Sequence, residues 1–316
     1  MATGLVVSLA LLAGAVVGLW IGARAFVDGA VSFARSFGLS ELVIGLTVVA
    51  VGTSMPELVV SVDAALAGTG DIAVGNVVGS NVYNLAFILG VLALFGNVAV
   101  PRALVRRDGL ALLGATTLAA LALLDLRLGR LEAAILLLAL VAYFIALARA
   151  GSPSSSVADA GTVGDEDDPF RLRDLVALVG GLALVLASGH ALVAAAVDLA
   201  RSFGVSEWAI GATIVAAGTS TPEFVVSALA LSRGRLGVSV GNLLGSNVFN
   251  ALGVLGIAGL VRPLPIDPAA LPDVGWLLVV TAFVTLSLWS GHRLSRVEGG
   301  LLVGSELLRW GLDFLR

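Results

Sequence analysis

The chain has 316 residues, 58% of them hydrophobic and 13% charged, against roughly 25% charged in an average soluble domain, so a soluble globule is excluded. The net charge of −4 is too small to imply a nucleic-acid partner, and the absence of Cys removes disulfides, thiolate metal sites and Cys nucleophiles. All 18 basic residues are Arg, a usage that points to a prokaryotic source.

Taken in chain order, ten apolar runs fall near residues 4–26, 41–67, 72–96, 109–125, 131–148, 174–199, 206–231, 236–261, 273–289 and 297–313. At roughly 20 apolar residues per membrane-spanning helix, this predicts an all-α integral membrane protein of ten transmembrane helices. The chain opens with MATGLVVS, which has no basic residue, and the first run is too long for an ordinary signal core, so it is read as a retained helix. Ser40-Glu41 and Ser206-Glu207 read as N-caps with a first-turn acid for runs 2 and 7. Residues 151–172, with Ser and Pro followed by the acids Asp165 to Asp168, cannot bury enough apolar area to fold and form an acidic linker between halves 1–150 and 173–316. The four acids lack the alternating spacing of a Ca2+-binding loop. His190 and Arg24 occupy equivalent places toward the ends of runs 6 and 1 and read as interfacial, while Asp63, opposite Leu229, reads as a solvated acid near a helix end.

The halves repeat. RSFGLSELVIGLTVVAVGTSMPE at 35–57 matches RSFGVSEWAIGATIVAAGTSTPE at 201–223 in 16 of 23 positions, and GNVVGSNVYN at 75–84 matches GNLLGSNVFN at 241–250 in 7 of 10, both at an offset of 166. Five spans separate each residue from its copy, an odd number, so the two five-helix repeats are inverted in the bilayer, an architecture common among secondary transporters. Twelve Arg fall on the connections after spans 1, 3, 5, 7 and 9 and six on the other side, which places the linker in the cytoplasm and both termini outside.

Glu57 and Glu223 sit near the middle of spans 2 and 7, where a carboxylate is costly and a functional candidate by default. Pro56 and Pro222 precede them and remove the helical partners of the Gly52 and Gly218 carbonyls. Irregular backbone at membrane depth persists where it lines a cavity or is buried in protein, so the freed carbonyls, the Thr and Ser oxygens and the two Glu converge. Spans 3 and 8 add Asn76, Ser80 and Asn84 and their copies Asn242, Ser246 and Asn250; Ser80 and Asn84 share one helical face, as do Ser246 and Asn250. Asn81 and Asn247 read as bonds between helices. Two carboxylates with neutral oxygens and no His or Cys suit a hard cation such as Ca2+ or Na+. Competition of two ions for one site is the physical basis of antiport. No Ser-His, Asp-Asp or HExxH arrangement supports an enzyme, and no organic cofactor is implied.

GTSMPE and GTSTPE, paired with GNVVGSNVYN and GNLLGSNVFN, resemble the two α-repeats of the sodium/calcium exchangers within the Ca2+:cation antiporter superfamily. The resemblance implies ion sites between spans 2, 3, 7 and 8, with spans 1 and 6 sliding against that core. It implies side-chain ligands Glu57, Glu223, Ser54, Ser220, Ser80, Ser246, Asn84 and Asn250 and carbonyl ligands Thr53, Thr219, Ala50 and Ala216. The expected function is Na+/Ca2+ exchange by a monomer in a prokaryotic plasma membrane, the alternative being a proton- or potassium-coupled Ca2+/cation antiporter. Asn250 stands where some relatives have Asp, which weakens the case for K+, and the acid of several proton-coupled relatives is displaced.

Overall fold

The computed structural model describes residues 2–95, 98–99, 105–150, 171–203 and 216–314, and these are almost wholly helical. The first half comprises α1 (Ala2–Ser36), α2 (Glu41–Thr53), α3 (Met55–Ala67), α4 (Gly70–Phe95), β1 (Val98–Ala99), α5 (Leu110–Ala122), β2 (Arg127–Leu128) and α6 (Arg130–Ala150). The second comprises α7 (Leu172–Ser202), α8 (Ala216–Thr219), α9 (Thr221–Ser232), α10 (Leu236–Val261), β3 (Leu264–Pro265), α11 (Leu271–Gly291), β4 (Arg293–Leu294) and α12 (Arg296–Phe314). Among the described residues, six helices are long and apolar enough to cross a bilayer, and the bent pair α2–α3 makes a seventh. Of the other three expected spans, α5 is short and preceded by a π turn over Val105–Gly109, α8–α9 continues a run outside the described residues, and α12 carries Glu298, Glu306 and Arg309. Almost all of the acidic linker and the Ser206-Glu207 pair also lie outside the described residues.

Local chemistry explains the element ends. Ser40 caps α2 by accepting the Val43 amide at 3.2 Å, as expected. Gly68 ends α3 at φ +82, a left-handed turn where a side chain would be strained, and its copy Gly234 adopts φ +71 after α9. Pro56 and Pro222 fall in the first turns of α3 and α9, where a missing N–H costs the helix nothing.

The most buried spans are α10 and α4, with 83% and 72% of their apolar windows inside the protein, against 33% and 28% for α1 and α7. The two helices that carry the GNxxGSNVxN motif are therefore the most enclosed, and α1 and α7 are far more open to the surroundings. With 35 and 31 residues those two run about 50 Å, longer than the roughly 30 Å hydrocarbon layer, so they tilt within it or extend past it. They pack antiparallel through small residues. A Cβ on Gly29 would collide with the Leu178 amide nitrogen, and one on Gly181 with that of Phe26, so no side chain fits at either. Gly180, one residue away, has nothing within 4 Å. Gly181→Leu is accordingly expected to lower thermal stability in detergent by about 1–3 kcal/mol, and Gly180→Leu to leave it unchanged.

Two short antiparallel strand pairs tie connecting segments together: Val98 opposite Leu294 and Ala99 opposite Arg293, and Arg127 opposite Pro265 and Leu128 opposite Leu264. The 166-residue offset converts β1 into β3 and β2 into β4. Each strand therefore pairs with the other half's strand, and the halves are clasped at two related places.

Candidate ion-binding site

The site begins at the helix breaks. The α2–α3 pair bends by 46° at Ser54, whose φ and ψ of −83° and 11° leave the helical basin; Ser220 matches it at −88° and 9° between α8 and α9. Proline at the following turn withholds the amide that would continue the ladder, which is why both helices break there. The last carbonyls of α2 and the first turn of α3 then meet at one place, negative helix end against the turn bearing Glu57. Such broken helices are suited to holding cations.

Across the two halves the groups interlock. Ser54 Oγ donates to Glu223 Oε1 at 2.9 Å, and Ser220 Oγ donates to Glu57 Oε1 at 3.0 Å, so each break supplies the hydroxyl for the opposite carboxylate. Ser246 lies 3.5 Å from Glu223 Oε1. Ser246 also donates to the Ala50 carbonyl at 3.3 Å and lies 3.4 Å from Thr53 Oγ1. Thr53, Ser54, Glu57, Asn84, Ser220, Glu223, Ser246 and Asn250 are all fully buried, and Ser80 nearly so. Thr219 is half-buried in α8, and Ala216 begins that helix. Ten of the twelve expected ligands thus gather around the reciprocal Ser–Glu bonds or the paired π turns. For Ala216 and Thr219 the backbone position follows the repeat.

Asn84 and Asn250 hold equivalent places in π turns, Tyr83–Ile88 in α4 and Phe249–Val254 in α10. The widened turn inserts one residue into the helix, a distortion frequent at functional sites. Both side-chain atoms of each Asn lack a hydrogen-bond partner, as do Glu57 Oε2 and Glu223 Oε2. An unpaired buried polar atom costs roughly 1–3 kcal/mol, so six of them in one repeated constellation call for a ligand. Four of the six are oxygens suited to a hard cation; the two amide nitrogens are donors and would face a ligand oxygen or water instead. Among the described residues, no three acidic or His side chains come together, so the fixed charge at the centre is that of two carboxylates.

Asn81 donates to the Asn247 carbonyl at 3.1 Å, an interhelical bond as the sequence suggests, whereas Asn247 donates within its own helix to Leu243 at 2.7 Å. Asp63, His190 and Arg24 are exposed, Arg24 lying over the Trp20 ring.

Two buried acids went unremarked in the sequence. Asp108 is fully buried, holds Arg107 by bonds of 2.8 and 3.0 Å and lies 3.4 Å from the Tyr143 hydroxyl. Glu306, also fully buried, holds Arg309 at 2.7 and 3.0 Å beside the stacked rings of Tyr83, Phe87 and Trp310. The Glu306–Arg309 spacing within an apolar run was the available signal. Neither acid has a counterpart in the other half, which separates them from the symmetric cluster. Glu306→Ala removes the two bonds that hold Arg309 from the buried side and leaves it with Asp273 at 3.4 Å, and is expected to destabilise the protein by about 1–2 kcal/mol, read as a lower thermal midpoint in detergent.

The chain matches the family described as sodium/calcium exchanger protein over residues 7–149 and 174–305, both halves. It is 38% identical over 316 residues to the putative antiporter CaxA of Alkalimonas amylolytica, covering 95% of this chain and 96% of that one. It is 30% identical over 319 residues to the sodium/calcium exchanger MaX1 of Methanosarcina acetivorans, covering 89% and 91%. A structure of the sodium–calcium exchanger NCX_Mj, soaked with 2.5 mM Na+ and 0.1 mM Ca2+, superimposes with a TM-score of 0.84 at 28% identity, covering 98% of this chain and 99% of that one. Duplicated motifs, paired broken helices and relatives matched along nearly their whole length agree, and the chain belongs to the sodium/calcium exchanger family.

Proposed function

We propose that the protein is a Na+/Ca2+ antiporter of a prokaryotic plasma membrane, exchanging the ions in turn at the buried cluster by alternating access. In this reading ten spans form two inverted five-helix repeats, residues 1–150 and 173–316, with an acidic cytoplasmic linker and both termini outside. The ligands are the carboxylates of Glu57 and Glu223, the side chains of Ser54, Ser220, Ser80, Ser246, Asn84 and Asn250, and the carbonyls of Thr53, Thr219, Ala50 and Ala216. The protein works as a monomer.

The observation that carries the reading is the reciprocal pair of bonds, Ser54 to Glu223 and Ser220 to Glu57, with a free oxygen left on each carboxylate. Two carboxylates that each accept a hydroxyl from the opposite repeat can both contact one small cation. One Ca2+ balances their charge, and monovalent ions can replace it. The strand pairs also fit an inverted arrangement, since β1 and β4 follow spans 3 and 9 on one expected side, and β2 and β3 follow spans 4 and 8 on the other. Long helices α1 and α7, joined by their glycines at the edge of the core, are placed to move as a unit across it.

Reconstituted vesicles test the assignment. An outward Na+ gradient, with no gradient of pH or K+, is expected to drive uptake of radiolabelled Ca2+. Uptake that responds only to a H+ or K+ gradient would replace Na+ as the coupling ion, and Ca2+ flux without any counter-ion would reject exchange.

A further inference from the structure

Glu57 stands in the first turn after a helix break, so the hydrogen-bond ladder of α2 does not fix where that turn points. Something else must. Asn76 on α4 donates to the backbone carbonyl of Glu57 at 3.1 Å and to Ser61 Oγ at 2.9 Å, and Ser61 donates onward to the Ala73 carbonyl at 3.3 Å. The other half repeats every link: Asn242 donates to the Glu223 carbonyl at 3.4 Å and to Ser227 Oγ at 2.9 Å, and Ser227 donates to the Ser239 carbonyl at 3.3 Å. Ser61, Ser227 and Asn242 are fully buried.

We propose that Asn76 and Asn242, with Ser61 and Ser227, are positioning residues that hold the two Glu-bearing turns in place and so set the discrimination between Ca2+ and Na+. The proposal rests on the antiporter reading above. These amides differ from ordinary bonds between helices because their acceptor is the carbonyl of the carboxylate residue itself; moving the amide moves the ligand. Asn242 reaches further, since its Oδ1 accepts Thr53 Oγ1 at 3.0 Å and thereby joins the Glu223 turn to the broken helix of the opposite half. Asp at either position lacks the donor, and Gln is one methylene too long.

The consequence for selectivity follows from charge. Two carboxylates held together repel, and a divalent ion between them relieves that repulsion more than a monovalent ion does. A cage that relaxes lets them separate, and the divalent ion loses more; discrimination among hard cations depends on cavity size and rigidity.

Half-saturating Ca2+ and Na+ for exchange are measured in vesicles, and Ca2+-induced thermal stabilisation is measured in detergent. Asn242→Ala is expected to raise half-saturating Ca2+ about tenfold and half-saturating Na+ less than about threefold. Ser227→Ala shifts the same ratio in smaller measure and adds little when combined with Asn242→Ala, because both act through one network. Ser227→Thr, which keeps the hydroxyl, restores the native ratio and remains informative if the Asn variant does not fold. The Ca2+-induced stabilisation weakens in parallel with the ratio. Equal shifts for both ions, an unchanged ratio, or the same ratio in Ser227→Ala and Ser227→Thr would overturn the proposal. Failure of the native protein to exchange or bind Ca2+ would instead strike the antiporter reading.

Discussion

Glu57→Gln and Glu223→Gln are each expected to abolish Ca2+ exchange while the protein still folds in detergent. Gln keeps the shape and one oxygen, so Ser54 and Ser220 retain an acceptor, and what is lost is half of the fixed countercharge in a fully buried cluster. Removing one charge from a buried set costs roughly 3–5 kcal/mol, which corresponds to a loss of Ca2+ affinity of about 100-fold or more. The two variants should fail alike, because the halves contribute matching hydroxyl and carboxylate. Isothermal titration with Ca2+ and uptake into vesicles check this together. Near-native exchange by either variant would remove that residue from the site.

Asn250→Asp is expected to change ion preference and to give transport a pH dependence. Asn250 is fully buried in the π turn of α10 with both amide atoms unpartnered, so an acid there would place a third carboxyl among the ligands. Protonated, it resembles the native amide. Ionised, it adds a negative charge that favours extra cation binding, so the variant should follow the native protein at low pH and depart from it as pH rises. Vesicle uptake at fixed Na+ and Ca2+ across a pH series reads the difference. A profile identical to the native one would exclude Asn250 as a ligand.

The feature most legible in the sequence was the duplication. A 166-residue offset between GTSMPE and GTSTPE gave two equivalent sets of Ser and Glu oxygens expected to converge; that Ser54 bonds Glu223 and Ser220 bonds Glu57 across the halves required coordinates. Proline before each Glu likewise announced the break, because the missing N–H acts locally. The π turns at Asn84 and Asn250 were not legible, for a widened turn depends on packing around it and has no residue signature. The strand pairs were hidden for a similar reason: two residues per strand give no periodicity, and their partners lie in the other half. The full length of α1 was underestimated because Asp28 and Arg35 interrupt its apolar run, while the helix continues to Ser36 beside α7. Asn76 and Asn242 were visible as residues facing the site, but their bonds to the Glu57 and Glu223 carbonyls required coordinates. Glu306 was visible as an acid three residues before Arg309 in the last apolar run, but its burial required coordinates.

The central claim is that one cation is shared by two carboxylates from opposite repeats, and anomalous diffraction from crystals soaked with Ca2+ tests it most directly. A single peak about 2.3–2.6 Å from oxygens of both Glu57 and Glu223 is the predicted result. Peaks bound to one Glu alone, or carboxylates facing separate cavities with no common ion, would contradict it.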